Sequence, residues 1–292
     1  MTHGNPVPAG PGRLFAFGLG YSALALALRL LARGWQVSGT SRDPERLDFL
    51  ADQGIRAVPF DRDRPVPAID LAGTTHLLVS IPPEEDGDPV LAAHADALKT
   101  LPDLAWVGLL STTGVYGDQD GGWVDERALP VPGQLRSIRR LLQEDAWRAT
   151  GLPVHVFRLA GIYGPGRSAV DEVRAGRARR VDKPGQVFSR IHVDDLAAVL
   201  LASMARPNPG AVYNVADDEP APSHEVVAYA CGLLGVEPPP LVPIGQAGLS
   251  PMAASFYAEN RRVRNTRIKE ELGVALAHPT YREGLKAQVG SE

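Results

Sequence analysis

The sequence predicts an α/β protein with a doubly wound parallel sheet and a small C-terminal lobe. Three observations predict this fold. Short apolar runs alternate with helical patterns through the first half of the 292 residues, a glycine-rich turn joins the first run to the first helical pattern, and the later segments are irregular and rich in Pro and Gly. Strands joined by helices of this length favour a parallel sheet that is covered on both faces.

The predicted elements follow one another from Arg13 to Ala160. In order, they are a strand at 13–17, a helix at 21–34, a strand at 36–41, a helix at 44–54, a strand at 56–60, a strand at 76–80, a helix around 89–100, a strand at 106–111, a helix from 135 and a strand at 154–160. Gly34 and Gly54 each end a helical pattern, which is a common role of glycine. The alternation is typical of βαβ units.

Composition and charge limit the classes of protein and partner. The chain is 44% hydrophobic and 22% charged, which is ordinary for a globular protein with a buried core. Its net charge of −4 gives no general attraction to nucleic acid or to an anionic membrane. The single cysteine, Cys231, excludes an intramolecular disulfide, offers no metal cluster and lies in an apolar run that predicts a core thiol.

The N-terminal segment and the most basic segment show no targeting or binding motif of their own. Residues 1–12 lack the basic-then-apolar pattern of a signal peptide and are predicted to form a flexible tail. No run reaches the roughly 18 apolar residues of a membrane helix, so we expect a cytoplasmic protein. The most basic stretch, 173–183, is interpreted as a solvated loop or helix face, with an anion-binding edge as the alternative.

The segment GLGYSA follows the first strand and opens the first helix. Gly18 allows a tight turn, and Gly20 lets the backbone approach a pyrophosphate. The start of the helix then presents free amides to the phosphates, and Ala23 is small enough for close helix–strand packing. The predicted cofactor-binding residues of this turn are Gly18, Leu19, Gly20, Tyr21 and Ser22. The alternative is a tight turn without a ligand.

The second strand ends in Thr40, Ser41 and Arg42. An NAD enzyme usually has an acidic residue here to bind the ribose hydroxyls. Hydroxyls and a guanidinium suit the 2′-phosphate of NADP instead. We therefore predict NADP, with NAD as the alternative, because Asp43 could still contact a ribose. The structural alternative is that Arg42 and Asp43 cap the next helix.

Two further residues complete the predicted cofactor site, and the site suggests a domain division. Asp61, after the third strand, is a candidate for the adenine edge, although turn capping is an alternative, and Ser80 ends the fourth strand. The predicted units are a tail (1–12), a dinucleotide-binding domain (13–160, to which 191–216 return) and a substrate-binding lobe (161–190 and 217–292).

Further motifs follow in a characteristic order. They are STTGVYG (111–117), RLAGIYGPGR (158–167), RIHVDDLA (190–197), YNVADDEP (213–220) and NRRVRN (260–265) followed by ELG (271–273). With the glycine turn, they resemble the extended short-chain dehydrogenase/reductase family, which includes NAD-dependent epimerases and dehydratases. The resemblance covers residues 14–285 and implies a Rossmann domain with a small substrate lobe.

The resemblance also implies where the chemistry lies, and the chain departs from the pattern there. In that family a Ser or Thr after the fifth strand binds the substrate oxygen, and a Tyr-x-x-x-Lys pair on the next helix supplies the proton. The hydroxyl position is Thr112, with Ser111 beside it, whereas Arg136 and Arg140 stand at the tyrosine and lysine positions. Arginine stays protonated, so Arg136 cannot perform the acid–base cycle of tyrosine.

The helix that carries these arginines is amphipathic. Apolar residues recur at helical spacing, namely Leu135, Ile138, Leu141 and Leu142. We expect Arg136 and Arg140, four residues apart, to project from the other face toward the cleft. Arg140 would bind ribose or phosphate or polarise a carbonyl, with a salt-bridged surface arginine as the alternative.

Each remaining catalytic candidate has a structural alternative. Thr112 orients an oxygen or caps a turn at the end of its strand. Tyr116 and Tyr163 supply a proton from another direction or act as packing residues. His192 is likewise either a catalytic candidate or a structural residue, since Asp194 in its motif resembles a helix cap.

The substrate motif also departs from the family pattern. Nucleotide-sugar enzymes of this family carry an arginine where this chain has Phe188, and Arg190 is displaced from that position. A UDP-sugar or GDP-sugar substrate is therefore disfavoured. The segment 161–166 follows the sixth strand at the edge where open α/β sheets bind ligands, and it is predicted to line the cleft.

Two functions remain open from the sequence. The first is an NAD(P)-dependent oxidoreductase or epimerase-like enzyme acting on a small carbonyl or hydroxyl compound. The second is an NADP-binding redox sensor or partner-binding protein without hydride transfer. The missing tyrosine favours the second, and the retained STTGVYG and lobe motifs favour the first. We expect a small-molecule substrate, no nucleic acid, membrane or metal, and a homodimer is compatible with the sequence.

Overall fold

The structure of the protein is a computed structural model that describes residues 4–290. The strands of the described residues are β1 (Arg13–Phe17), β2 (Gln36–Thr40), β3 (Arg56–Val58), β4 (His76–Val79), β5 (Trp106–Thr112), β6 (Trp123–Val124), β7 (Val154–Leu159), β8 (Gly161–Tyr163), β9 (Arg180–Asp182), β10 (Arg190–His192), β11 (Val212–Val215), β12 (Leu241–Pro243) and β13 (Arg262–Val263). The α-helices are α1 (Tyr21–Leu31), α2 (Pro44–Asp52), α3 (Ala68–Leu71), α4 (Pro89–Lys99), α5 (Leu135–Arg148), α6 (Ala169–Arg174), α7 (Val193–Ala205), α8 (Ser223–Leu234), α9 (Pro251–Phe256), α10 (Thr266–Glu270) and α11 (Tyr281–Val289).

The central sheet has seven parallel strands in the order β11-β7-β5-β4-β1-β2-β3. The chain winds outward from β1 to β3 in one direction and from β4 to β11 in the other. The predicted Rossmann-type α/β fold is confirmed. The strand order reverses between β1 and β4, and such a switch point leaves a crevice at the carboxyl ends of the strands.

Both faces of the sheet are covered because side chains alternate along each strand. Leu14 and Ala16 of β1 belong to a buried cluster that includes residues of α1 and α7. Phe15 and Phe17 belong to the opposite cluster, which includes Trp147 of α5 and residues of α4. The near-continuous apolar runs of the sequence follow from this double burial.

Most surface helices bury their apolar residues and expose their polar ones, whereas α5 exposes most of its apolar stripe and buries polar residues. Of its predicted apolar residues, Leu135, Ile138 and Leu142 are exposed, at 60%, 38% and 62%, whereas Leu141 packs against the buried cluster of Val115 and Tyr116. The residues that it buries fully are mainly polar, namely Ser137, Gln143, Glu144 and Trp147. The helical spacing predicted from the sequence is therefore correct, but most of the predicted apolar residues lie outside the core of the described chain.

The later part of the chain forms a smaller layer above the carboxyl edge of the sheet. Three short parallel pairs, β8–β10, β9–β12 and β6–β13, connect it, and α6, α8 and α11 enclose an apolar cluster of their own. Cys231 of α8 is fully buried, as its apolar surroundings predict. None of the helices in the described range reaches the length and hydrophobicity that a bilayer span requires.

The N-terminal segment is only partly described. Residues 1–3 of the predicted tail lie outside the described residues. Within the described part, the Asn5 side chain exchanges two hydrogen bonds with the backbone of Ala275, at 3.0 and 2.7 Å. Asn5 therefore lies against the segment that precedes α11.

Candidate functional site

A cleft runs along the carboxyl edge of the sheet and consists of three adjoining cavities. The turn cavity, of about 310 Å3, surrounds the segment 18–20. The central cavity, of about 280 Å3, shares Gly20 and Ser80 with it. The lobe cavity, of about 470 Å3, lies under α9 and shares Thr112 and Arg167 with the central cavity. The shared residues make the three cavities one continuous site.

The glycine turn combines one crowded position with one open position. Gly18 has a φ of +91°, and a Cβ atom there would lie 2.5 Å from Ile81 Cγ2 and 2.8 Å from Ser80 Oγ. Gly20 is the N-cap residue of α1, and a Cβ atom there would meet no protein atom within 4 Å. No side chain caps α1 within the described chain. The first glycine is thus required by the fold, and the second leaves free space beside uncapped helix amides.

The structure brings all the predicted cofactor-binding residues to the turn and central cavities. Those that line the turn cavity are Gly18, Leu19, Gly20, Thr40, Ser41, Arg42, Asp61 and Ser80. Tyr21 and Ser22 line the central cavity. The ten residues that the sequence predicted for the cofactor therefore lie together at two adjoining cavities.

Several of the predicted polar side chains bind the backbone rather than facing the cavity freely. Thr40 Oγ1 accepts a hydrogen bond from the amide of Gly18 at 2.9 Å, and Ser80 Oγ donates to the carbonyl of Gly18. Asp61 Oδ1 accepts from the amide of Asp63 at 3.1 Å, which is the turn capping considered from the sequence. These side chains hold the strand ends in place.

The cationic edge of the turn cavity contains one predicted arginine and one that was missed. Arg42 is exposed, and no polar partner of its side chain is found in the described chain. Asp43 caps α2, because its Oδ1 atom accepts from the amide of Glu45 at 3.1 Å, as the structural alternative from the sequence supposed. Arg46 also lines the cavity and donates to the carbonyl of Leu19 at 3.2 Å. No local pattern in the sequence signals this role of Arg46, because the contact needs α2 to pack beside the glycine turn.

Arg140 connects three elements at the wall of the central cavity. Its Nη1 atom donates to the carbonyls of Ile81 and Leu110, at 3.1 and 3.0 Å, and to Gln143 Oε1 at 2.8 Å. Burial lowers the pKa of Arg140 to about 10, which leaves it cationic at neutral pH. Gln143 in turn donates to Asp88 at 2.6 Å. The alternative of a salt-bridged surface arginine is wrong, because Arg140 is held by carbonyl oxygens inside the cleft wall.

Tyr116 does not reach the cleft, so its prediction as a catalytic residue is wrong. It is fully buried and lines none of the three cavities. Its hydroxyl donates to Asn214 Oδ1 at 2.7 Å, and the Arg158 guanidinium lies 4.9 Å from its ring centre. Burial raises the pKa of Tyr116. The packing alternative considered from the sequence is the correct one.

A buried ion pair supports α5 from below. Glu144 accepts from Arg158 at 2.8 Å, with side chains that are only 1% and 5% exposed. Ser111, which lines the central cavity, donates to the same carboxylate. The strand that carries Ser111 and Thr112 is thereby fastened to the helix that carries Arg140.

Thr112 and Arg136 approach the junction of the central and lobe cavities. Thr112 lines both cavities, and its Oγ1 accepts from the amide of Gly114 at 3.0 Å, so it also caps the short 3-10 helix Thr113–Tyr116. Arg136 lines the lobe cavity, with its guanidinium 4.3 Å from the ring centre of Phe256 in α9. The two predicted positions are thus brought to one site, but Arg136 packs on an aromatic ring of the lobe.

The tyrosines that line the cleft already use their hydroxyl groups. Tyr21 donates to the carbonyl of Pro165 at 3.1 Å, and burial raises its pKa to about 12. Tyr163 donates to the carbonyl of Thr280 at 3.3 Å, and burial raises its pKa as well. The hydroxyl of Tyr257 lies 2.8 Å from that of Ser223.

His192 serves as the cap of α7. Its Nδ1 accepts from the amide of Asp194 at 3.2 Å, and burial lowers its pKa to about 4. Asp194, which the sequence suggested as the cap, instead pairs with Arg29 of α1 at 2.6 Å. The histidine is therefore neutral at physiological pH and structural in this arrangement.

Comparison with known proteins places the chain among related folds. It is 52% identical to a conserved protein of unknown function from Silicibacter pomeroyi, with a TM-score of 0.90 and coverage of 96% of this chain and 98% of that one. It is 29% identical over 240 residues to Protein YeeZ of Escherichia coli K12, covering 76% of this chain and 84% of that protein. No protein-family model matches.

More distant solved structures share the fold. One is a dTDP-glucose 4,6-dehydratase from Bacillus anthracis in complex with NAD, with a TM-score of 0.77, 17% identity and coverage of 96% of each chain. The chain therefore belongs to one family with the Silicibacter pomeroyi protein, and its fold is that of the NAD-dependent epimerases and dehydratases. The family resemblance predicted from the sequence is confirmed at the level of the fold.

Proposed function

We propose that the chain is an NADP-dependent oxidoreductase or epimerase-like enzyme that acts on a small carbonyl or hydroxyl compound. The observation that carries the proposal is the free space at Gly20, beside the uncapped start of α1 and at the switch point of the sheet. A pyrophosphate fits such a place because helix amides and the helix dipole both favour an anion. The dehydratase structure of the same fold is in complex with NAD, which supports a nicotinamide dinucleotide as the ligand.

The preference for NADP rests on the cationic edge of the turn cavity. Arg42 has no acidic partner in the described chain, and Arg46 lies four residues further along. Asp43, the acidic residue nearest to Arg42 in sequence, caps α2 with its Oδ1 atom and is not among the residues that line the turn cavity. A 2′-phosphate would therefore meet a guanidinium rather than a carboxylate.

A bound nicotinamide cofactor would supply or accept a hydride. The residues of the chain would then bind and orient the reacting oxygen. Thr112, at the junction of the central and lobe cavities, would donate its hydroxyl hydrogen to that oxygen. Arg140, fixed by two carbonyls, would place a permanent positive charge in the wall nearby. Since neither Arg136 nor Arg140 releases a proton at neutral pH, the proton would come from solvent or from the substrate.

The test is binding followed by turnover. The purified chain is titrated with NADPH and NADH by calorimetry, and oxidation of NADPH is then followed at 340 nm across a panel of aldehydes, ketones and 2-oxo acids. We expect NADPH to bind more tightly than NADH, and at least one compound to be reduced. Absence of binding by both dinucleotides would overturn the proposal.

A second function, an NADP-binding redox sensor without hydride transfer, is favoured by one observation. Tyr21 and Tyr163 donate their hydroxyl hydrogens to backbone carbonyls, and the hydroxyl of Tyr257 is paired with that of Ser223, so the tyrosines that line the cleft are all engaged within the described chain. The sensor predicts tight NADPH binding without turnover of any compound, together with a difference in proteolysis between the NADPH-bound and NADP⁺-bound protein. The enzyme predicts turnover.

A further inference from the structure

The lobe cavity is lined by more arginines than carboxylates. Four arginines line it, namely Arg136, Arg167, Arg190 and Arg261, together with one carboxylate, Glu259. Hydroxyl groups and apolar side chains make up most of the remaining wall. The cavity therefore carries an excess of positive charge, although the whole chain has a net charge of −4.

The single carboxylate is committed to one of these arginines. Arg261 Nη1 donates to Glu259 Oε2 at 2.7 Å and to the carbonyl of Gly117 at 2.6 Å. Arg261 is thus neutralised within the chain. Arg136, Arg167 and Arg190 have no ion-pair partner among the described residues.

Arg190 is fixed in position while its charge is left without a partner. Its Nη1 atom donates to the carbonyls of Phe188 and Ala221, at 2.8 and 3.0 Å. Asp217, an acid in its surroundings, is 1% exposed; burial raises the pKa of its carboxyl group to about 8 and lowers the pKa of Arg190. Asp217 forms no ion pair with Arg190 in the described chain. A guanidinium that two backbone carbonyls hold rigidly, without a paired carboxylate, is prepared for an anion from outside the chain.

The two remaining arginines lie on aromatic rings. Arg167 lies 5.8 Å from the ring centre of Tyr21 and lines both the central and the lobe cavity. Arg136 lies 4.3 Å from the ring centre of Phe256. Such contacts orient a guanidinium without neutralising it.

We propose that the compound bound in the lobe cavity is a small organic anion, whose carboxylate or phosphate group is bound by Arg190 and Arg167 while its carbonyl or hydroxyl group faces Thr112. The inference rests on the proposed function, because it takes the lobe cavity to be the substrate site. Carboxylate and phosphate groups both offer two oxygen atoms that can accept parallel hydrogen bonds from one guanidinium group.

The test uses the full chain, with and without NADP⁺, titrated by calorimetry with succinate, inorganic phosphate and the neutral succinamide. We expect succinate or phosphate to bind and succinamide not to bind, and the stronger of the two anions identifies the group. Arg167→Gln should weaken anion binding about tenfold or more, as loss of a charge-assisted contact does. Arg190→Gln should do the same without changing NADPH affinity.

The matched control is Arg177→Gln, since Arg177 is exposed, pairs with Glu172 and lies outside the cavity. Because Arg190 is partly buried, a poorly folded Arg190→Gln variant leaves the exposed Arg167→Gln variant to decide. NADPH binding without any anion binding, or equal binding of succinate and succinamide, would overturn the anionic substrate. Anion binding that needs Arg167, in a chain that binds no dinucleotide, would overturn the proposed function and leave the anion site standing.

Discussion

The turn cavity and the lobe cavity are two ends of one cleft, but they are built in different ways. The turn cavity lies at the ends of neighbouring strands, where hydrogen bonds between the backbone of Gly18 and the side chains of Thr40 and Ser80 hold the turn in place. The lobe cavity is formed by side chains from segments that are far apart in the sequence, such as Thr112, Arg190 and Arg261. A site of the first kind depends on local geometry, and a site of the second kind depends on long-range packing and charge.

The largest effect that would test this contrast concerns the buried pair beneath α5. Glu144→Gln should lower the free energy of unfolding by about 3–5 kcal/mol, because it leaves the Arg158 guanidinium buried without its carboxylate. The measurement is urea unfolding. Glu172→Gln, which breaks the exposed pair with Arg177, is the control and should change stability by less than about 1 kcal/mol. Similar small effects in both variants would show that side-chain charges do not hold this half of the cleft together.

The second effect concerns the backbone site. Gly20→Val should lower NADPH affinity by at least about 100-fold, since the added side chain would occupy the space open to a pyrophosphate. The fold should tolerate it, with a loss of roughly 1 kcal/mol at the helix cap. Calorimetry and a thermal melt measure the two quantities. Gly18→Val is the counterpart, because its side chain meets Ile81 and Ser80 and should destabilise the fold itself. Unchanged NADPH affinity in a folded Gly20→Val protein would remove the turn from the cofactor site.

The third effect is a side-chain contribution inside the turn cavity. Arg42→Ala should weaken NADP binding by about 2 kcal/mol, the size of one charge-assisted contact, and leave NAD binding nearly unchanged. Fluorescence titration of both dinucleotides measures the difference. Arg33→Ala removes an exposed arginine of the opposite end of α1 and should affect neither. Equal losses for NADP and NAD would mean that Arg42 does not bind the 2′-phosphate.

The smallest effect concerns the outward face of α5. Leu142→Gln should change the stability of the chain by less than about 0.5 kcal/mol, because the side chain is 62% exposed. Unfolding at two protein concentrations measures it. A loss above about 1 kcal/mol that depends on protein concentration would contradict this and indicate that a second copy of the chain covers the face.

The same contrast explains how much could be predicted from the sequence. Six of the seven strands of the sheet and the glycine turn could be predicted because apolar runs and a strand–turn–helix pattern depend on adjacent residues. The arginines of α5 could be placed on one helix face by their spacing, and at the cleft by the family resemblance. The burial of Tyr116 could not, because its partners Arg158 and Asn214 come from β7 and β11.

Other parts of the site depend on contacts that no local pattern announces. Arg46 was missed because its contact with the carbonyl of Leu19 is formed only once α2 packs beside the glycine turn. Phe256 ends the short helix α9 and Arg261 lies in the loop that follows it. The path of this part of the chain is set by contacts such as that between Gln134 and the carbonyl of Ser255, at 2.6 Å. The exposure of the apolar face of α5 could not be predicted for the same reason. Periodicity shows which residues share a helix face, but not whether that face points to the core or to solvent.

The order of the sheet also matters while the chain is being made. All six residues of β7 are buried in the finished protein, and its outer edge pairs with β11, which follows the lobe segment that contains β8 to β10. At about 5–20 residues per second, a ribosome would release β7 roughly 3–10 s before β11. During that interval the nascent chain presents an apolar, unpaired strand edge, which is a template for aggregation. The length of the lobe segment between β7 and β11 thus sets how long this edge stays unpaired in a newly made molecule.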